Sequence, residues 1–113
     1  MKVTIQPRVP AGNLRQVVPP AYRVAAVALA PSGSSPPAEY SVLLFAHAPR
    51  DVVPSAPVRK ALRRLGEPAP GGVVAVGTVF TEEALALLAE AGARVLALRK
   101  ARWTDDSARA RQL

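Results

Sequence analysis

The spacing of apolar residues changes near residue 70. Before that point, short apolar runs are separated by Pro, Gly and Ser, and no proline occurs after Pro70. Beyond it, apolar runs of strand length flank one segment with helical spacing. The first part of the chain therefore predicts strands joined by loops, and the second predicts uninterrupted regular structure.

Three runs in the first part predict strands. Residues 2–6 alternate like a short edge strand that Pro7 and Pro10 end. Residues 22–29 and 40–46 are apolar runs joined by "PSGSSPPAE", which is too short for a crossover helix. We expect these two runs to pair antiparallel. The second, "YSVLLFA", has no charge and is expected to be a central strand buried on both faces.

The segment "SAPVRKALRRLG" predicts the first helix, with Ser55 as the N-cap and Gly66 as the C-terminal cap. Apolar residues recur with helical spacing and predict the buried stripe: Val58, Ala61, Leu62 and Leu65. The other side of the helix carries four cations: Arg59, Lys60, Arg63 and Arg64. The first helix is therefore expected to present one strongly basic face.

The stretch "GVVAVGTVFTEEALALLAEAGARVLAL" predicts strand, turn, helix and strand. Residues 73–76 form a short apolar strand, and Thr81 caps the second helix. Glu82 and Glu83 follow in the first turn, where the helix dipole favours carboxylates. Residues 94–98 are expected to be the final strand, parallel to the preceding one through a right-handed crossover.

These elements give the order β-β-β-α-β-α-β, which is an antiparallel hairpin running into parallel βαβ units. The predicted fold class is α/β with a small mixed sheet, and 113 residues correspond to a single domain. Residues 1–98 are expected to form the domain, with residues 1–21 as edge strand and Pro-rich lead-in. Residues 99–113 are expected to be a basic C-terminal tail, either helical or loose.

Composition excludes several classes of site. Without cysteine, the chain has no disulfide, no thiolate metal site and no Cys nucleophile. The start "MKVTIQPRVP" lacks the apolar run of a signal peptide, so a cytoplasmic location is expected. No apolar stretch approaches the roughly 20 residues of a membrane helix, so no membrane partner is expected.

Charge favours an anionic partner. The chain has 15 Lys and Arg against 8 Asp and Glu, a formal net charge of +7, which suggests nucleic acid first. Most of the basic residues are Arg, and Ala and Pro are abundant too. A G+C-rich genome raises all three together, so composition bias explains the charge equally well.

A second basic group follows the last predicted strand. Trp103 stands among Arg99, Lys100 and Arg102, a mixture that can stack on a base and bind phosphates. Packing of the tail, or contact with a second copy, explains the tryptophan at least as well. The candidate nucleic-acid site comprises Arg59, Lys60, Arg63, Arg64, Arg99, Lys100, Arg102 and Trp103.

The other candidate sites are interpreted as structural features rather than as catalytic or ligand-binding sites. The turn "GTVFTEE" leads into a helix N-terminus, but it lacks the glycines and lysine of phosphate-binding motifs and has two carboxylates, so it is interpreted as a hinge. His47 has no nucleophile motif nearby, so a capping or loop role is favoured. Asp105 and Asp106 are expected to be a solvated pair that nearby arginines neutralise. No catalytic residue, metal or cofactor is expected.

The segments "YSVLLFA", "VRKALRRL" and "VVAVGTVFTEEALALLAEAGARVLAL" follow the order of the restriction-endonuclease-like fold. The chain resembles its Mrr-type enzymes over roughly residues 22–98. That family has an acid on or after the first hairpin strand and Glu-x-Lys on the next strand. The carboxylates hold Mg²⁺, and the Lys assists the attack of water. Here the first strand has no carboxylate, and Phe45, Ala46 and His47 stand near the Glu-x-Lys position. The resemblance therefore implies a nuclease-like shell without its active site.

Two hypotheses of different classes follow. The leading one is a non-catalytic domain that binds nucleic acid through the basic helix face and the basic tail. The alternative is a protein interaction module or homodimeric subunit that uses the edge strand at residues 2–6. A small enzyme that uses His47 is the least favoured, so the sequence leans against an enzyme.

Overall fold

The computed structural model describes residues 3–10, 39–45, 52–99 and 102–112. Within those ranges, the strands are β1 (Val3–Pro10), β2 (Glu39–Phe45), β3 (Val52–Val53), β4 (Val73–Gly77), β5 (Val79–Phe80), β6 (Arg94–Arg99) and β7 (Arg102–Asp105). The helices are α1 (Ser55–Leu65), α2 (Glu82–Glu90) and α3 (Ser107–Arg111). None of these helices is long and apolar enough to span a membrane.

Five strands form one mixed sheet in the order β1-β2-β4-β6-β7. The three central strands are parallel, with Leu43 beside Ala75 and Ala75 beside Val95. The outer strands β1 and β7 are antiparallel to their neighbours. The predicted α/β class and the small mixed sheet are therefore confirmed.

Strand β2 lies inside the sheet, as the uncharged run "YSVLLFA" predicts. Its residues from Tyr40 to Phe45 are all buried. Its antiparallel neighbour is β1, and its parallel neighbour is β4. The expected partner, residues 22–29, lies outside the described residues, and both edges of β2 are already occupied.

Strand β1 is an edge strand in the described sheet, but it does not stop at Pro7. It continues to Pro10, and its register with β2 shifts between Gln6 and Val9. Because proline has no N–H to donate, an irregularity of this kind lets the strand accommodate Pro7 without breaking the pairing. The predicted end at Gln6 is therefore wrong by four residues.

Helices α1 and α2 lie on the same face of the sheet. Each connects a parallel strand to its immediate neighbour in the same direction, and right-handed crossovers then place both helices on one side. The two helices pack against each other, and α3 packs against α2. The core between helices and sheet is built from small and aliphatic residues together with two aromatic rings, Phe45 and Phe80.

The helix ends agree with the sequence except at one position. Thr81 Oγ1 accepts a hydrogen bond from the Ala84 N–H at 3.1 Å, so the predicted cap of α2 is confirmed. Gly66 closes α1 with a φ of +70°, as predicted. The N-cap of α1 is Pro54 and has no side-chain capping bond, so the assignment to Ser55 is wrong by one residue. Ser55 already has helical structure.

The turn "GTVFTEE" contains a short strand. Its residues Val79 and Phe80 form β5, which pairs in parallel with β3. The Thr81 N–H donates to the Val53 carbonyl at 3.1 Å. This pairing fixes the path from β4 into α2 and was not predicted.

The chain continues in regular structure after β6. Strand β7 pairs with β6 in a hairpin, with Leu98 opposite Trp103. Helix α3 is then anchored to the start of β6, where the Val95 N–H donates to Ser107 Oγ at 2.9 Å and the Asp106 N–H donates to the Val95 carbonyl at 2.7 Å. Strand β6 is therefore not the last strand, because β7 extends the sheet and α3 follows it.

Candidate nucleic-acid interface

The basic face of α1, defined as Arg59, Lys60, Arg63 and Arg64, is exposed. The helix buries Val58 and Ala61 against the core, and the four cations occupy the side of the helix away from it. Leu62 and Leu65 are half-buried on the core side, as the predicted stripe requires. The amphipathic pattern thus fixes where the cations project.

No acidic residue neutralises this face among the described residues. Helix α1 contains no Asp or Glu, and none of its four cations forms an ion pair there. By contrast, Arg8 pairs with Glu39 at 3.2 Å and Arg109 pairs with Asp106 at 3.5 Å. The basic face therefore keeps its positive field available to an outside anion.

Part of the basic face also has a structural explanation. Arg63 and Arg64 lie in the last turn of α1, where a cation stabilises the helix dipole by about 0.3–1 kcal/mol. Arg59 and Lys60 lie one turn earlier, where the dipole effect is weak. Helix stability alone therefore does not explain all four cations.

A small groove separates α1 from β1, the edge strand of the described sheet. Its volume is about 100 Å³, and its lining comprises Val3, Ile5, Pro57, Lys60, Ala61 and Arg64. Lys60 and Arg64 are four residues apart, so they are neighbours on the helix surface. The groove therefore combines an apolar lining with two of the four cations.

The second predicted basic group lies at the other edge of the sheet. Arg99 and Arg102 are opposite each other in the β6–β7 hairpin. Lys100 lies outside the described residues, as do the side-chain positions of Arg99, Arg102 and Trp103. Strands β1 and β7 are separated by four strand spacings, about 19 Å. Because α1 packs beside β1, the structure places the predicted residues in two groups.

The remaining candidate site residues have structural roles or lie outside the described residues. Asp106 was predicted to be solvated, but its side chain is only 8% exposed and pairs with Arg109. The prediction is wrong for Asp106 because it lies between β7 and α3, where it begins the helix. His47 and Asp51 lie outside the described residues. Among those that are described, no three His, Cys, Asp or Glu side chains cluster as a metal site would require.

One buried polar residue was not assigned from the sequence. Ser41, near the start of β2, is fully buried. Its hydroxyl donates to the Pro7 carbonyl at 2.7 Å and accepts from the Ala69 N–H at 2.9 Å. The serine in "YSVLLFA" is the only sequence signal for this role, and it does not identify the partners.

Two wider clefts border α3. One, of about 260 Å³, includes Thr78, Asp106 and Arg109, and the other, of about 440 Å³, includes Ser107 and Arg111. Asp106 and Ser107 already have partners within the fold. These clefts therefore offer weaker chemistry for a ligand than the basic face of α1.

Comparison with known proteins finds no matching family model, curated protein or solved structure. The function must therefore be inferred from the basic face and its surroundings.

Proposed function

We propose that this protein is a non-catalytic domain that binds nucleic acid through the basic face of α1. The observation that carries the proposal is that four exposed cations share one helix face without an acidic partner among the described residues. Such cations can bind phosphates without first breaking an internal ion pair. The release of counterions from the nucleic acid then drives the association.

Binding without catalysis is proposed because β2 lacks the carboxylates that hold Mg²⁺ in the restriction-endonuclease-like fold. Glu39 begins β2, but its carboxylate pairs with Arg8. The next residues of β2 are buried and carry no carboxylate. A Mg²⁺ ion needs several oxygen ligands in octahedral geometry, and β2 does not supply them.

A protein interaction module or homodimer is the second candidate. Two observations favour it: β1 is an edge strand in the described sheet, and Val52 and Val79 are exposed side by side on β3 and β5. However, two valines make a small apolar patch. Light scattering tests this candidate, which predicts a dimer that persists at high salt and binds no oligonucleotide.

The test of the leading proposal compares two charge reversals. Lys60→Glu reverses one cation on the basic face, and Arg111→Glu makes the same change of charge at an exposed side chain of α3. We expect Lys60→Glu to weaken oligonucleotide binding by about tenfold or more, because it replaces a phosphate contact by repulsion. We expect Arg111→Glu to change it much less.

Both side chains are exposed, so the two variants should melt within a few degrees of the wild type. Equal weakening by both reversals would mean that net charge, rather than the basic face, controls binding. An absence of micromolar binding by the wild-type protein at low salt would refute the proposed function.

A further inference from the structure

We infer that the groove between β1 and α1 binds an unpaired base, so that the nucleic acid held by the basic face is single-stranded. This inference rests on the proposed function and specifies its ligand. Three features of the structure support the inference: the apolar floor of the groove, its cationic rim and the irregular edge of β1.

The groove has an apolar floor. Val3 and Ile5 are half-buried and pack against the core, and Ala61 is only 2% exposed. Pro57 adds a rigid apolar ring at the start of α1. At about 100 Å³, the groove is well below the roughly 300–1,000 Å³ of a small-molecule pocket. It therefore suits one flat group that enters partway, rather than an enclosed ligand.

The rim of the groove is cationic. Lys60 and Arg64 are both exposed, and both line the groove. A nucleotide of a single strand has the complementary arrangement, because its base has apolar faces and its phosphate is an anion. In a duplex the bases remain stacked and the phosphates face outward. A duplex could therefore reach Lys60 and Arg64 but would leave the apolar floor unused.

An added peptide strand is the competing occupant, and β1 disfavours it. The register of β1 shifts between Gln6 and Val9, and Pro7 and Pro10 cannot donate backbone hydrogen bonds. Prolines and bulges of this kind protect sheet edges from further pairing. Only the first four residues of β1 precede the irregularity. The edge thus limits strand addition, whereas no other described residue lines the apolar floor that the base would contact.

The first experiment measures the contribution of the bases. Fluorescence anisotropy at low salt measures the affinity of the protein for four ligands. They are a thymidine oligonucleotide, an abasic oligonucleotide with the same phosphates, a duplex of the same length, and polyglutamate of the same charge. We expect the thymidine strand to bind about fivefold or more tighter than the abasic strand, because a base on the apolar floor removes apolar surface from water.

The second experiment locates that contribution with matched variants. Lys60→Gln/Arg64→Gln removes the two cations at the groove, and Arg59→Gln/Arg63→Gln removes two that do not line it. Both variants lose two charges from the same helix. We expect only the groove variant to reduce the preference for thymidine over abasic strands to about twofold or less, because the base is no longer held over the floor.

The outcomes separate the inference from the proposed function. Equal affinity for thymidine and abasic strands would overturn the inference while leaving phosphate binding intact, and tighter binding to the duplex would do the same. Polyglutamate binding as tightly as the thymidine strand would also overturn it, because a peptide would then satisfy the site. If no nucleic acid binds at low salt, the proposed function itself fails.

Discussion

At the scale of single residues, the hydroxyl of Ser41 is expected to stabilise the fold through its two hydrogen bonds. Ser41→Ala removes a buried hydroxyl and leaves the Pro7 carbonyl and the Ala69 N–H without their partner. An unsatisfied buried group costs about 1–3 kcal/mol. We therefore expect Ser41→Ala to lower the free energy of unfolding by about 2–3 kcal/mol, measured by urea denaturation.

Ser55→Ala is the matched control, because it makes the same chemical change where the hydroxyl forms no hydrogen bond to another described residue. We expect the control to stay within about 0.5 kcal/mol of the wild type. If both variants lose the same free energy, the hydrogen bonds of Ser41 do not stabilise the fold as described.

These residues also show what a sequence can reveal. The cap at Thr81 was predictable because its partner Ala84 is three residues away. Ser41 bonds to groups 34 and 28 residues away, so no local pattern identifies them. The Ser55 assignment failed because a serine before a helical pattern fits an N-cap, while in this chain the extended residue is Pro54.

At the scale of elements, the passage from β4 through β5 into α2 is tightly packed around Gly77. A Cβ at this position would lie 2.7 Å from Phe80 Cζ and 3.1 Å from Val53 Cγ2. Phe80 is itself held by an edge-to-face contact with Phe45, at 5.8 Å between ring centroids. We expect Gly77→Ala to destabilise the protein by about 1–3 kcal/mol through overpacking, measured by chemical denaturation.

A double-mutant cycle provides the control for this prediction. Phe80→Leu shortens the side chain that a new Cβ would meet. In that background, we expect Gly77→Ala to cost at least about 1 kcal/mol less than it does in the wild type. Additive losses would show that the glycine is required for a reason other than the ring of Phe80.

The elements that were predictable are those with strong periodicity. Helices α1 and α2 and strands β2, β4 and β6 have apolar patterns long enough to indicate their type. Strand β7, "RWTD", has one apolar residue, and β5 has only two residues. Both are strands because they pair with β6 and β3, and such pairing depends on tertiary context rather than local preference.

At the scale of the whole molecule, the two basic groups predicted from the sequence lie at different parts of the described sheet. The basic face of α1 lies beside β1, while the β6–β7 hairpin with Arg99 and Arg102 lies at the opposite edge. The candidate site predicted from the sequence combined both groups, and their role in binding stays a prediction. Their separation depends on the strand order, which the spacing of residues along the chain does not reveal.

The distribution of charge makes the salt dependence of binding the most direct test of the proposed function. Affinity for a single-stranded oligonucleotide should be measured from low to high salt for the wild type and for a variant with Arg59, Lys60, Arg63 and Arg64 all changed to Gln. If each cation meets one phosphate, log affinity should fall with log salt with a slope of about 3 in the wild type. The variant should remain folded, bind far more weakly and show a slope near zero. An unchanged slope in the variant, or a wild-type protein that does not bind at low salt, would contradict nucleic-acid binding by the basic face of α1.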